Sequence, residues 1–124
     1  MPIIRAENAP AFRLPNLTVS GLAAPSRGSR ETSVWRINIA PGAPGVTHSV
    51  DREEIFVALS GCALATLGDE QLELRAGDTL IVPAGEPFSL GNSGTIAFDA
   101  LAVAPVGVRA SLPGGEPFAP PWSQ

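Results

Sequence analysis

His48 and Cys62 are the only histidine and the only cysteine in the chain. Alone, it therefore cannot assemble a three-histidine metal site, a Cys₂His₂ zinc finger or an internal disulfide. What remains is an imidazole shortly before a carboxylate, Glu54. Such a pair can act as general base and acid, or hold a divalent ion weakly. Glu54 opens the apolar run Ile55 to Leu59. A carboxylate facing an apolar interior is costly unless it is paired, hydrated, bound to a ligand or protonated. His48 is the expected partner, and the two would then titrate together. Glu53 should face away from Glu54 on the same strand, so they do not form a carboxylate dyad. Cys62 has no basic neighbour to activate it and reads as a small packing residue. Asp51, Arg52 and Glu53 read as a solvated turn. Asp99, inside the apolar run Ile96 to Val103, is either an outward residue or a pocket group facing Glu54 and His48.

The elements that must position these groups are strands. Thirteen Gly and thirteen Pro are spread through the 124 residues as punctuation. Between them no apolar period of 3.6 is sustained. Short apolar or alternating runs recur instead, which is the pattern of an all-β sandwich or barrel. The predicted strands are Leu17 to Leu22, Ser33 to Ala40, Val46 to Val50 and Glu54 to Leu59. They continue with Cys62 to Leu67, Glu70 to Leu74, Thr79 to Val82, Phe88 to Leu90 and Thr95 to Val103. Cys62 to Leu67 and Glu70 to Leu74 form a hairpin across Gly68-Asp69. Trp35, Ile37 and Ile39 share one face of their strand. Arg36 and Asn38 share the other and are expected to be exposed. Residues 1–16 and 105–124 read as Pro-rich arms, the second expected to dock through Phe118 and Trp122. The whole, 1–124, reads as a single domain, with a barrel over about residues 33–103.

Two stretches give this barrel a family likeness. Gly42 to Gly61 reads G-A-P-G-V-T-H-S-V-D-R-E-E-I-F-V-A-L-S-G, and Gly77 to Asn92 reads G-D-T-L-I-V-P-A-G-E-P-F-S-L-G-N. Together they resemble the two signature motifs of the cupin superfamily, G-x5-H-x-H-x3–4-E-x6-G and G-x5-P-x-G-x2-H-x3-N. The resemblance implies a double-stranded β-helix, or jelly-roll barrel. It also implies a place for a metal, held in many cupins by three histidines and the glutamate. Here His48 and Glu54 match two of those ligands, while Val50 and Phe88 stand where the other two histidines would be. If the family geometry holds, His48 and Val50 point into the barrel, with Glu54, Phe56 and Ala58 on a second wall and Phe88 and Leu90 on a third. Two donors are too few to hold an ion tightly without water or a chelating substrate, so His48 and Glu54 are weak metal candidates only.

The expected function is binding of a small, partly apolar organic molecule. Val50, Phe56, Phe88 and Leu90 would give shape, and His48 and Glu54 orientation. The competing readings are an enzyme and a dimerisation or regulatory module. The enzyme would be a metal-free acid/base isomerase, epimerase or lyase using His48 and Glu54, or an oxygenase with a weak two-ligand metal site. No cofactor is expected beyond a weakly bound divalent metal. A net charge of −4 with no basic run argues against nucleic acid. Every apolar stretch is broken well short of a membrane span. The free cysteine and the absence of a signal-type N-terminus point to the cytoplasm. Apolar residues on both faces of Glu54 to Leu59 predict that an arm or a second subunit covers the outer face, with a homodimer favoured. Elemental analysis of the purified protein is expected to find less than about half an equivalent of any transition metal, the donor count being too low. A full equivalent with His48 as ligand would overturn this.

Overall fold

The computed structural model describes residues 1–124. Eleven strands follow the alternation of the sequence: β1 (Ala11–Leu14), β2 (Leu17–Ala23), β3 (Thr32–Ile39), β4 (Ser49–Val50), β5 (Glu54–Ser60), β6 (Cys62–Leu67), β7 (Glu70–Arg75), β8 (Thr79–Val82), β9 (Phe88–Gly91), β10 (Phe98–Pro105) and β11 (Ala110–Ser111). One sheet runs β1-β2-β3-β10-β5-β8, a second β7-β6-β9, and β11 pairs with β4. All pairings are antiparallel, and the fold is an all-β jelly-roll barrel. No helix is long and apolar enough to cross a membrane.

The core forms where inward positions meet. Trp35, Ile37 and Ile39 of β3, Phe56 and Ala58 of β5 and Phe98, Ala100, Ala102 and Ala104 of β10 are all buried. β10 lies between β3 and β5, and Ala102 stands opposite both Trp35 and Phe56. A small residue between two large rings lets the three strands pack without overfilling the layer. Outward positions carry the polar groups: Arg36 is exposed and Asn38 half-buried.

Several boundaries differ from the sequence expectation, each for a local reason. The strand expected from Val46 shrinks to Ser49–Val50, because the Val46 carbonyl accepts a bond from the His48 ring rather than from a neighbouring strand. The strand expected from Thr95 begins at Phe98. There the side chain of buried Asn92 donates to Ile39 O (3.0 Å) and Ile96 O (2.8 Å) and accepts from Gly94 N–H (3.0 Å), which holds the preceding turn. The N-terminal arm is not free: Phe12 and Leu14 belong to β1, which pairs with β2. The C-terminal arm is tied at three places. Asp51 Oδ1 accepts from Arg109 N–H (2.7 Å), Ala110 and Phe118 exchange backbone bonds, and Ser33 Oγ–H donates to Ser123 O (3.0 Å). Trp122 docks edge-on against Phe12, ring centroids 6.1 Å apart. Asp51 is thus more than a solvated turn residue.

The outer face of the large sheet carries a row across four strands: Val34, Val103, Ile55 and Ile81. Ile81 on edge strand β8 is 57% exposed. The N-terminal segment covers a different part of this face, since Ala6 and Ala9 border a groove with Arg36 and Asp99.

Gly61 joins β5 to β6 with φ +79°, and a Cβ there would stand 2.4 Å from Ala97 O. Neither the backbone angle nor the space admits a side chain. Gly61→Ala is expected to lower stability by about 2–4 kcal/mol in denaturant unfolding. A loss within ~0.5 kcal/mol of zero would contradict this reading of the turn.

Candidate functional site

Strand parity carries the site. On β5, Glu54, Phe56 and Ala58 alternate inward, with Glu53 exposed before them. His48 and Val50 lie two residues apart and both face the same cavity, as do Phe88 and Leu90 of β9. The cavity measures about 450 Å³. All six residues singled out from the sequence border it: His48, Val50, Glu54, Phe56, Phe88 and Leu90.

The sequence reasoning missed much of the wall. Trp35, Ile37 and Ile39 of β3 form the far side. The arms supply the rest: Leu14 to Leu17 and Val19 from the N-terminal side, and Val108, Ala110, Leu112, Phe118, Pro120 and Trp122 from the C-terminal side. The signal was present as apolar residues in Pro-rich tails. It predicted docking for Phe118 and Trp122 but not docking over the barrel mouth. Phe118, though it lines the cavity, remains 46% exposed.

Phe88 anchors His48. The two residues form a β-bridge, with Phe88 N–H to His48 O at 2.8 Å and His48 N–H to Phe88 O at 3.0 Å. Their rings pack with centroids 4.3 Å apart, and the Phe56 ring lies 5.8 Å from that of Phe88. His48 Nδ1 lies 2.9 Å from Val46 O. A carbonyl can only accept, so Nδ1 carries the proton and the neutral ring presents Nε2 as an acceptor.

Glu54 is 5% exposed and makes no side-chain hydrogen bond within the protein. No fully enclosed side-chain atom lacks a partner, so its carboxyl meets the open cavity it borders. The expected His48–Glu54 contact is not formed: no ion pair or hydrogen bond joins them. His48 instead directs Nδ1 to Val46 O and packs its ring on Phe88. Without a partner, burial alone pushes the Glu54 carboxyl up to about 8.

Two other candidates fall outside the site. Asp99 points outward, because Phe98 and Ala100 on either side of it point in. It accepts from Arg36 Nε (3.4 Å), Asn38 Nδ2 (3.2 Å) and Ser60 Oγ (3.2 Å). A bulge on β5 brings Ser60 rather than Leu59 opposite Asp99. Cys62 is exposed, correcting its reading as a packing residue: the inward positions of β6 are Ala63 and Ala65, and parity turns Cys62 out.

A family match agrees with this architecture. Residues 35–104 match the cupin domain model, more than half the chain, and the protein belongs to the cupin superfamily. Among solved structures it resembles the polyketide cyclase RemF from Streptomyces resistomycificus, at 20% identity and TM-score 0.77, over 85% of this chain and 79% of that one. It also resembles an RmlC-like cupin from Shewanella frigidimarina, at 15% identity and TM-score 0.72, over 83% of this chain and 88% of the other. A curated relative, the uncharacterized protein MJ1618 of Methanocaldococcus jannaschii, is 39% identical over 44 residues. That match covers 36% of this chain, which spans about a third (35%) of the relative.

Cupins often hold a metal, but the residues here do not fit one held tightly. No third His, Cys, Asp or Glu joins His48 and Glu54. Val50 and the buried Phe88 ring occupy the other two ligand addresses. Transition-metal sites in proteins ordinarily use three or four protein donors.

The buried carboxyl has a consequence for stability. The folded chain binds the Glu54 proton more tightly than the unfolded chain does. That contribution is complete below the ordinary carboxyl range near 4.5 and is lost as pH rises through about 8. Glu54→Gln should therefore match the parent near pH 4 and exceed it at pH 8–9 by roughly 3–5 kcal/mol, at about 1.4 kcal/mol per pH unit. Parallel stability curves for the two proteins from pH 4 to 9 would contradict an unpaired buried carboxyl.

Proposed function

We propose that this cupin binds a small organic molecule in the cavity between barrel and arms, with Glu54 and His48 as its polar handles and no tightly held metal. The observation that carries the reading is the composition of the wall. Seventeen of the 23 residues that border the cavity are hydrophobic, and the polar side-chain groups are those of Asn16, His48 and Glu54 and the indole N–H of Trp35 and Trp122. Apolar walls with a few convergent polar groups are the usual make-up of a ligand site, and about 450 Å³ falls within the usual range of ligand pockets.

A second reading, a metal-free acid/base enzyme, has its own support. Glu54, raised to about 8, sits near the range where a general acid works at neutral pH. His48, with Nδ1–H engaged by Val46, offers Nε2 as a base on the same cavity. A polyketide cyclase among the structural neighbours is an enzyme built on this fold. The oxygenase reading is disfavoured by the two-donor set. The apolar row Val34, Val103, Ile55 and Ile81 supports burial against a second copy of the chain.

Trp35 and Trp122 both border the cavity and report its filling. Titration with the neutral dye N-phenyl-1-naphthylamine should quench their fluorescence saturably, one dye per chain, with a dissociation constant of roughly micromolar order. No saturable change, or binding unaltered by Val50→Trp in a protein that still folds, would sink the reading.

A further inference from the structure

The chain has eight arginines and no lysine, yet none of them borders the cavity. The ionisable groups that do are Glu54 and His48. Nothing there can neutralise a carboxylate or phosphate by the usual means, a bidentate arginine or a lysine. His48 commits its Nδ1–H to Val46 O. An anion drawn into this cavity would lose its hydration without gaining a counter-charge, and would meet Glu54 at the base.

The mouth points the same way. Leu14, Val46, Leu112 and Phe118 all border the cavity and are 47%, 64%, 50% and 46% exposed. They come from β1, the turn before β4, the residue after β11 and the C-terminal arm, and all four border the same cavity. Apolar side chains left in water around an apolar cavity gain from a ligand that extends beyond it. Glu54, by contrast, is only 5% exposed and borders the same cavity without a side-chain hydrogen bond in the protein.

We infer that the cavity takes an uncharged, elongated apolar molecule, whose inner end offers a hydrogen-bond acceptor such as a ketone to the Glu54 carboxyl and whose outer end packs against Leu14, Val46, Leu112 and Phe118. This rests on the small-molecule reading above and adds the chemical class. A carboxyl kept protonated by burial donates to a carbonyl oxygen, and that bond would give Glu54, which makes no side-chain hydrogen bond within the protein, a partner in the cavity it borders. Organic acids are excluded by the same absence of cations.

The test is a matched series at pH 7, read by the fluorescence of Trp35 and Trp122: 4-acetylbiphenyl, biphenyl-4-carboxylate, 4-ethylbiphenyl and acetophenone. The biphenyl ketone should bind at least about tenfold more tightly than the carboxylate. It should also bind more tightly than the ethyl compound, which has no acceptor, and Glu54→Leu should erase that second difference. The ketone's advantage over the shorter acetophenone should shrink in Leu112→Ser/Phe118→Ala. A carboxylate that binds as tightly as the ketone overturns the inference and leaves the small-molecule reading standing. An advantage over the ethyl compound that survives Glu54→Leu also overturns it. So does a whole series that fails to bind while the naphthylamine dye binds. If the dye fails as well, both readings fall.

Discussion

The burial of one ring, Phe88, holds the pocket together. Its backbone bridges His48 on one side and pairs with Leu67 of β6 on the other, so it joins the small sheet to the segment that carries the imidazole. Its ring fills the space between His48 and Phe56. The apolar ring draws these strands together by exclusion of water, at roughly 2–3 kcal/mol for a fully buried phenylalanine. A ring beside an imidazole gives this part of the cavity flat apolar surface.

Glu54 shares this pocket with Phe88. It faces inward from β5, its neighbours Val50 and Phe88 are apolar, and no arginine or lysine borders the cavity to hold it ionised. Desolvation then decides its state, and it becomes a hydrogen-bond donor inside an apolar cup. His48, turned toward Val46 O and stacked on Phe88, does not relieve it.

Much of this was legible in the sequence, because period-two alternation reports directly which residues face inward. The parity of Trp35, Ile37 and Ile39, of Glu54 and Phe56, and of Phe88 and Leu90 follows from spacing alone, and the two motifs placed them in one barrel. What escaped were features that depend on side chains capturing backbone groups. His48 takes the Val46 carbonyl and so ends a strand; Asn92 takes the carbonyls of Ile39 and Ile96 and so delays one. Neither has a periodic signature. The pairing of His48 with Glu54 was a reasonable inference from composition, but proximity in sequence does not set side-chain direction once a ring such as Phe88 competes for the imidazole. Asp99 was readable only as far as parity allowed. Its three partners come from β3 and β5, which no local pattern connects to it.

The arms give the fold a division of labour. The cupin match ends at residue 104 and begins at 35, yet eleven of the 23 residues that border the cavity, five before and six after, lie outside it. The barrel behaves as a chassis that supplies the floor and the polar handles, while the tails act as an interchangeable roof. The tails are fastened by the β1–β2 and β11–β4 pairings and by ties such as Asp51 to Arg109 and Ser33 to Ser123. A substitution in either tail can therefore reshape the cavity while every residue of the two motifs stays in place.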